Sequence, residues 1–475
     1  YMCRMRAPNG VLSAAQMAAV ARIAETKGGG YAHVTTRANL QIREIRPEDA
    51  PDVVEALADA GVIARGSGAD NIRNVTGSAT AGIDPRELID TRRAARDLHF
   101  HILNDRSLYG LPRKFNVSFD GGGAIATLED TNDIGFQAVV VRAGASLQAG
   151  AHWRLTLGGI TGHKDLARDT GVIVPDGETT EVADAIIRVF IENGDRTNRA
   201  RARLKYVLDA WGFEKFLAAV EEKLGRRLAR VDAVLVEPRP AIDRLAHVGV
   251  HAQKKPGLNY LGVWTPLGRM TAAQMKAIAQ CADLHGDGDV RLTVWQNLLV
   301  SGVPDASLAA ARAMIEAAGL RLEVSNARAG LVACTGNRGC KFAASDTKGH
   351  ALVIADHLDA RIALDQPVNI HLTGCHHSCA QHYIGDIGLI AAKVSAGGEE
   401  TVEGYHLHAG GGFADRGAIA RLILPDVRAE DAPQRIEFLL RAWMERRADA
   451  RESFHAFAAR HDAEALKAFA MGSAS

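Results

Sequence analysis

Cysteine is scarce: six residues in a chain of 475, too few for a disulfide-built scaffold. No apolar run approaches the roughly 18 residues that would suggest a membrane span. Net charge is also missing. The 56 basic and 56 acidic side chains cancel, which argues against bulk electrostatic binding to nucleic acid or an anionic membrane. No glycine-rich nucleotide fingerprint follows a strand. Gly121-Gly122-Gly123 reads as a turn, so a bound NAD(P)H or flavin is not expected. What is present is ordinary for a globular protein, with 47% hydrophobic and 24% charged residues. At about 100–200 residues per domain, the length predicts two to four domains. The opening Tyr1-Met2-Cys3-Arg4-Met5-Arg6 alternates like a strand from its first residue. The natural chain is therefore expected to begin upstream, and the lack of a leader says little about targeting.

The chain is internally duplicated. Residues 13–42 and 271–300 align without gaps at an offset of 258, with 12 of 30 positions identical. Each copy opens with a capping box, Ser13 with Gln16 and Thr271 with Gln274. Each helix is expected to stop at glycines, Gly28–Gly30 in one copy and Gly286 and Gly288 in the other, through their left-handed freedom. A strand with Thr35 and Asn39, or Thr293 and Asn297, follows. Further echoes pair Val75-Thr76-Gly77 with Cys334-Thr335-Gly336 and Asp133-Ile134-Gly135 with Asp386-Ile387-Gly388. They also pair Leu157-Gly158-Gly159 with Ala409-Gly410-Gly411. Glu237-Pro238-Arg239-Pro240 marks the junction, since proline limits regular structure on both sides. The halves differ in chemistry. The second holds four clustered cysteines, with Val75 and Ala81 facing Cys334 and Cys340 in the alignment. The first has Arg37, Arg73 and Lys114 opposite Trp295, Val332 and approximately Asn369.

The cysteines read Cys334-x5-Cys340, then 34 residues, then Cys375-x3-Cys379. Four thiolates are the ligand set of a [4Fe–4S] cluster. Glycines in both loops let backbone wrap a bulky group and offer N–H donors to its sulfurs. Structural zinc and four unrelated buried thiols are the rival readings, and the five-residue spacing fits zinc knuckles poorly. Cys281 falls in an amphipathic helix and reads as a small core residue.

These motifs carry a family resemblance. Ala333-Cys334-Thr335-Gly336-Asn337 with Cys340, and Thr373-Gly374-Cys375 with Cys379-Ala380-Gln381, resemble the sirohaem- and [4Fe–4S]-containing nitrite and sulfite reductases. So do Thr35-Thr36-Arg37-Ala38-Asn39-Leu40-Gln41-Ile42-Arg43, Asp70-Asn71-Ile72-Arg73-Asn74 and Leu111-Pro112-Arg113-Lys114-Phe115-Asn116. The resemblance implies an α+β, pseudo-two-fold fold. Ferredoxin-like half-domains would occupy 1–66 and 240–322, and larger mixed sirohaem-binding domains 67–236 and 323–475. It implies that Cys334, Cys340, Cys375 and Cys379 ligate the cluster and that Cys379 also bridges to the sirohaem iron. Arg37, Arg73, Lys114 and Asn116 match the family's distal anion site. Thr35, Asn39, Gln41 and Arg113 match ligands of the sirohaem carboxylates or their neighbours. Gly410-Gly411-Gly412 reads as a close approach to the porphyrin. A cofactor with eight carboxylates and an anionic substrate together call for such a cationic wall.

Within the family, Lys114-Phe115-Asn116 points to nitrite. Sulfite reductases usually carry a second lysine where Asn116 stands, and sulfite is the bulkier and partly dianionic substrate. The alternatives are a sulfite reductase, a precorrin oxygenase of the same ancestry, which shares Arg-Ala-Asn-Leu-Gln, and an electron-transfer module with no substrate chemistry. His376 and His377 stand where the family often has Pro-Asn, and are expected to alter hydrogen bonding around the cluster. The implied electron donor is ferredoxin, with Arg196, Arg199, Arg201, Arg203 and Lys205 as a basic run to dock it or to form a solvated helix face. The expected setting is cytoplasmic, with no membrane or nucleic-acid partner.

Overall fold

The computed structural model describes residues 1–397 and 400–473. The chain is α+β and divides into two compact units. One comprises Tyr1–Ile160 with Leu166–Leu322, and the other Thr161–Asp165 with the chain from Glu323 onward.

Both capping boxes form. Ser13 Oγ accepts from Gln16 N at 3.1 Å while Gln16 Oε1 accepts from Ser13 N at 3.0 Å. Thr271 and Gln274 repeat this at 3.2 and 3.0 Å. These contacts start the helices Ala14–Lys27 and Ala272–His285. Both helices stop at the expected glycines, which divide the work between them. Gly28 and Gly286 are extended, with φ of −130° and −115°. The left-handed residues are Gly30 and Gly288, at +77° and +82°. Gly28 and Gly286 are needed for space instead. A Cβ would lie 2.7 Å from Ile42 Cγ2 in the first case and 2.5 Å from the Ser301 carbonyl in the second.

The two small half-domains exchange strands within the first unit. One antiparallel sheet orders Met2–Arg4, Leu40–Arg43, Tyr31–Val34 and Arg269–Thr271. The last of these comes from the second repeat, with Thr271 opposite Tyr31. The other sheet orders Gly249–Ala252, Leu258–Val263, Leu298–Pro304, Asp289–Leu292 and Val11–Ser13. Its last strand comes from the first repeat, with Ser13 opposite Asp289. Each repeat thus covers an edge that the other would leave open.

The first unit also holds the sheet Val117–Asp120, Ile134–Val141, Gly150–Leu157 and Arg168–Val174, parallel at its first pair and antiparallel after it. Ile134–Val141 is buried along almost its whole length, because helices Thr91–Asn104, Thr179–Asn193 and Leu204–Leu224 complete the core on this sheet. Phe119 stacks on Phe136 at 4.9 Å, and Trp153 meets Phe119 edge-on at 5.5 Å. The second unit repeats the plan with Leu331–Ala333, Ile370–Thr373, Ile387–Gly397, Glu400–Ala409 and Arg421–Arg428, the first three parallel.

The junction is anchored rather than loose. Val236–Glu237 pairs with Ile134–Val141. Arg239 is buried, ion-paired with Asp120, and donates to the Gly123 carbonyl at 2.6 Å. Among the described residues, no helix is long and apolar enough to cross a membrane.

Candidate functional site

In the second unit, the cysteines leave the carboxyl ends of two adjacent parallel strands. Leu331–Ala333 runs into Cys334 and Ile370–Thr373 runs into Gly374 and Cys375. Parallel pairing therefore delivers both loops to the same sheet edge. Gly374 N donates to Cys334 Sγ at 3.1 Å, and Thr347 Oγ1 lies 3.6 Å from the same sulfur. Gly374 has no room for a side chain, since a Cβ would sit 2.5 Å from Ala343 Cβ. Burial, and after it the neighbouring Cys379, Cys334 and Cys340 thiols, push the Cys375 thiol up to about 11, with the His377 backbone N–H opposing. The other three thiols are thus near enough to act on Cys375, and four cysteine thiols are the donor set a polynuclear iron–sulfur centre requires. Cys379 is the exposed member of the four; Cys334, Cys340 and Cys375 are half-buried.

The Cys375–Cys379 turn is tightly built. Ser378 N donates to the Cys375 carbonyl at 3.1 Å, and Ser378 itself has φ of +50°. Ser378 Oγ bonds His382 Nδ1 at 3.0 Å. The short segment Thr161–Asp165 closes on this turn, with Gly162 against the carbonyls of His376 and His377.

The cationic residues gather in the first unit. The turn carrying Arg37 is closed by Thr35 N donating to the Asn39 carbonyl and Ala38 N to the Thr35 carbonyl, both at 3.0 Å. Ala38 takes φ of +46°. Arg37 Nη1 donates to Asn132 Oδ1 at 2.9 Å. With its amide turned toward the guanidinium, Asn116 Oδ1 accepts from Arg37 Nη2 at 2.9 Å. Asn116 is fixed in turn by its own N–H, which donates to Asp133 Oδ2 at 2.9 Å. Asp133 pairs with Arg203 at 2.7 Å, both side chains being buried. Arg73 N donates to the Phe115 carbonyl at 2.8 Å, which places Arg73 beside Lys114-Phe115-Asn116. The Arg73 guanidinium donates to the Ala69 carbonyl at 2.7 Å.

Arg37, Arg73, Lys114 and Asn116 are thus brought to one region. The remaining residues are placed differently. Asn39 is buried, accepting the Thr35 hydroxyl and donating to the Met5 carbonyl at 3.0 Å, so its amide is committed to the turn. Gln41 is half-buried on Leu40–Arg43, accepting from Arg43 at 3.0 Å. Arg113 pairs with Asp70 at 3.3 Å.

Two supporting residues escaped the sequence reading. Asn74 is fully buried and donates to the carbonyls of Ala7, Arg37 and Ala38 at 2.8, 3.0 and 3.2 Å. Arg6 is also buried. Its guanidinium is lowered to about 10 by desolvation, and it donates to the carbonyls of Arg65, Gly66, Ile72 and Arg73. An asparagine next to a matched arginine was the available signal for the first. Nothing local marks the second.

Several sequence expectations need correction. Helix N-caps Asp90 and Asp346 are equivalent, and Thr91 Oγ1 accepts from Ser78 N where Thr347 Oγ1 donates to the Cys334 carbonyl. Ser78, not Val75, is therefore the counterpart of Cys334. Likewise Asn369 N donates to Asp386 at 2.7 Å, as Asn116 does to Asp133. Asn369 thus corresponds to Asn116, and Lys114 falls opposite Pro367. The basic run is mostly consumed. Arg203 is buried against Asp133, Arg199 pairs with Asp70 at 2.8 Å, and Lys205 pairs with Asp209 at 2.7 Å. All but Lys205 precede the helix Leu204–Leu224, so there is no single helix face to dock a donor. Gly411 and Gly412 are explained by protein packing: a Cβ would lie 2.3 Å from the Gly385 carbonyl or 2.0 Å from that of Arg416. In the second copy of the Arg37 turn, Trp295 donates to the Ala126 carbonyl at 3.1 Å and stacks on buried His247.

Comparisons with known proteins agree with one another. Residues 68–228 and 325–471 match the family described as nitrite and sulphite reductase 4Fe-4S domain. Residues 1–60 and 251–318 match the nitrite/sulfite reductase ferredoxin-like half domain. A ferredoxin–nitrite reductase of Synechococcus elongatus is 34% identical over 448 residues, covering 93% of this chain and 85% of its own. A ferredoxin-dependent sulfite reductase of Mycolicibacterium paratuberculosis is 31% identical, covering 98% and 83%. The solved structure of the Mycobacterium tuberculosis NirA protein superposes with a TM-score of 0.91 at 30% identity, covering 98% of this chain and 84% of that one.

Proposed function

The chain belongs to the nitrite and sulfite reductase family, and from that premise we propose that it reduces nitrite to ammonia with electrons from ferredoxin. Written to ammonium, the protonated form at neutral pH, the reaction consumes six electrons and eight protons and releases two waters. The observation that carries the choice of nitrite is Asn116 against the Arg37 guanidinium, at 2.9 Å. This polar but uncharged side chain stands where the sulfite-type pattern has a second lysine. A small monoanion needs fewer compensating charges than a partly dianionic one.

Cys334, Cys340, Cys375 and Cys379 are assigned to a [4Fe–4S] cluster. The gathered thiols and the Gly374 N–H on Cys334 suit it. Sirohaem is assigned to Cys379, where Gln41 and Arg113 would face its carboxylates, while Thr35 and Asn39 bond each other and shape the turn that carries Arg37. When bound, these groups supply single electrons and an iron at which the anion is reduced. The chain's own residues hold the anion and its protons. Arg37, gripped by Asn132 and Asn116, offers a positioned cation that needs no reorganisation when charge builds on the substrate oxygens. Arg73 adds a second cation from the neighbouring segment. Lys114 Nζ is the side chain able to hold a proton for transfer.

The test uses purified protein loaded with sirohaem, with reduced ferredoxin or a viologen dye as donor. Ammonium should form from nitrite, and kcat/KM for nitrite should exceed that for sulfite. A preference for sulfite overturns the assignment. A spectrum without chlorin-type bands overturns the sirohaem placement.

A further inference from the structure

His376 and His377 lie between two of the cysteines, and the function above gives them no task. Their placement is specific. His377 Nδ1 lies 3.3 Å from Cys375 Sγ. The His377 ring is held on one side by His376, with centroids 4.3 Å apart. On another it meets Phe342 edge-on, at 5.4 Å. The backbone carbonyls of both histidines close on Gly162, where a Cβ would lie 3.4 Å from each. The main-chain N–H of His377 also serves Cys375. One residue thus brings a peptide N–H and an imidazole nitrogen to the same sulfur, and the half-buried ring that carries the second sits between the exposed His376 and Phe342.

A donor aimed at a cluster sulfur favours the form with more negative charge. Reduction by one electron spreads added charge over the sulfurs, so an N–H bond there raises the reduction potential. An imidazole with its proton on Nδ1 is such a donor. We propose that His377 sets the potential of the cluster by donating its Nδ1–H to Cys375 Sγ, making the cluster easier for a one-electron protein donor to reduce. The proposal rests on the cluster assignment above. It makes His377 a positioning and tuning residue, not one that touches nitrite.

The experiment is a potentiometric titration of the holoenzyme followed by the EPR signal of the reduced cluster. The proteins compared are wild type, His377→Phe, His377→Asn and His376→Leu. His377→Phe keeps a ring between His376 and Phe342 but has no N–H. At the wild-type midpoint its reduced-to-oxidised ratio should fall about tenfold, equivalent to about 59 mV for one electron. His377→Asn, whose amide can donate, should fall between the two. His376→Leu should stay within about twofold of wild type. An unchanged midpoint in His377→Phe with full cluster signal overturns the proposal. So does an equal shift in His376→Leu, which would trace the effect to packing. Loss of the cluster from both His377 variants would assign the residue to assembly instead, which also overturns it. A wild-type protein with no [4Fe–4S] signal would defeat the functional reading itself, a distinguishable result.

Discussion

The side-chain amide of Asn74 donates to the main-chain carbonyl of Arg37 at 3.0 Å. Asn74 directly follows Arg73, so this contact ties the loops bearing two of the proposed anion-binding cations. Asn74→Ala would leave the carbonyls of Arg37 and Ala38, and the Ala7 N–H that Asn74 Oδ1 accepts at 2.8 Å, without this partner. Each unmet buried group costs about 1–3 kcal/mol. Urea denaturation should show a loss of about 3 kcal/mol. Turnover with nitrite should drop even at temperatures where the variant is fully folded. A stable variant with wild-type kinetics would show that the two loops are held by other means.

Behind Asn116 stands the buried pair Arg203 and Asp133. Arg203→Met would strand a carboxylate in the core, at a cost of about 3–5 kcal/mol. Asp133→Asn combined with Arg203→Met should cost clearly less than the sum of the two single changes. A double-mutant cycle by chemical denaturation measures this coupling. Charge reversal at Arg203 should therefore unfold the domain rather than selectively weaken ferredoxin binding.

Substrate choice is predicted to respond to Asn116→Lys. The added ammonium would attract a dianion about twice as strongly as a monoanion, since Coulomb energy scales with the product of charges. It would also meet the Arg37 guanidinium that Asn116 now holds. Turnover of both anions should fall, and nitrite more than sulfite. The quantity to compare is the sulfite-to-nitrite ratio of kcat/KM before and after substitution, with one artificial donor at one pH. A ratio that does not move removes Asn116 from the selectivity argument.

Cys379→Ser should lose the cluster and the coupled chlorin spectrum together. It is the exposed residue of the four, and it is assigned to both groups. Iron and acid-labile sulfide analysis alongside the visible spectrum checks this. An active variant with an unchanged spectrum would reject the bridging assignment.

Acid stability should depend on His247. Burial lowers its pKa from the usual 6.5 to about 4, and its Nδ1 accepts from Asn297 Nδ2 at 2.9 Å. A depressed histidine favours the fold while neutral. Its contribution is complete above pH 6.5 and is lost as the pH falls toward 4. The slope is about 1.4 kcal/mol per pH unit. His247→Gln, which stays neutral and can still accept a hydrogen bond, should flatten denaturation midpoints over that window relative to wild type. Parallel curves would mean that His247 does not set the acid limit.

The duplication, the capping boxes and the cysteine loops were legible because each depends on residues close in sequence. Fixed spacings report local geometry directly. The repeat register in the structure differs by a few positions from the sequence alignment at Cys334 and at Asn116. Loops of unequal length precede both, and only hydrogen bonds such as Asn369 to Asp386 settle the equivalence. The basic run hides its pairing for a related reason. A stretch of arginines looks solvated until its distant partners, Asp70 and Asp133, are in place. Arg6, whose guanidinium reaches four carbonyls between residues 65 and 73, carried no local signal at all.

The crossed strands of the half-domains have a consequence for how the chain is made. The sheet built on Met2–Arg4 and Tyr31–Val34 waits for Arg269–Thr271, more than two hundred residues later in synthesis. A nascent chain that has emerged only through the junction carries an open sheet edge and an unplaced Val11–Ser13. Such an edge invites pairing with another nascent copy. The same geometry suits an ancestor of half the length, which would have traded these strands between two identical subunits. Gene fusion would then have turned that exchange into an intramolecular one, removing its dependence on concentration.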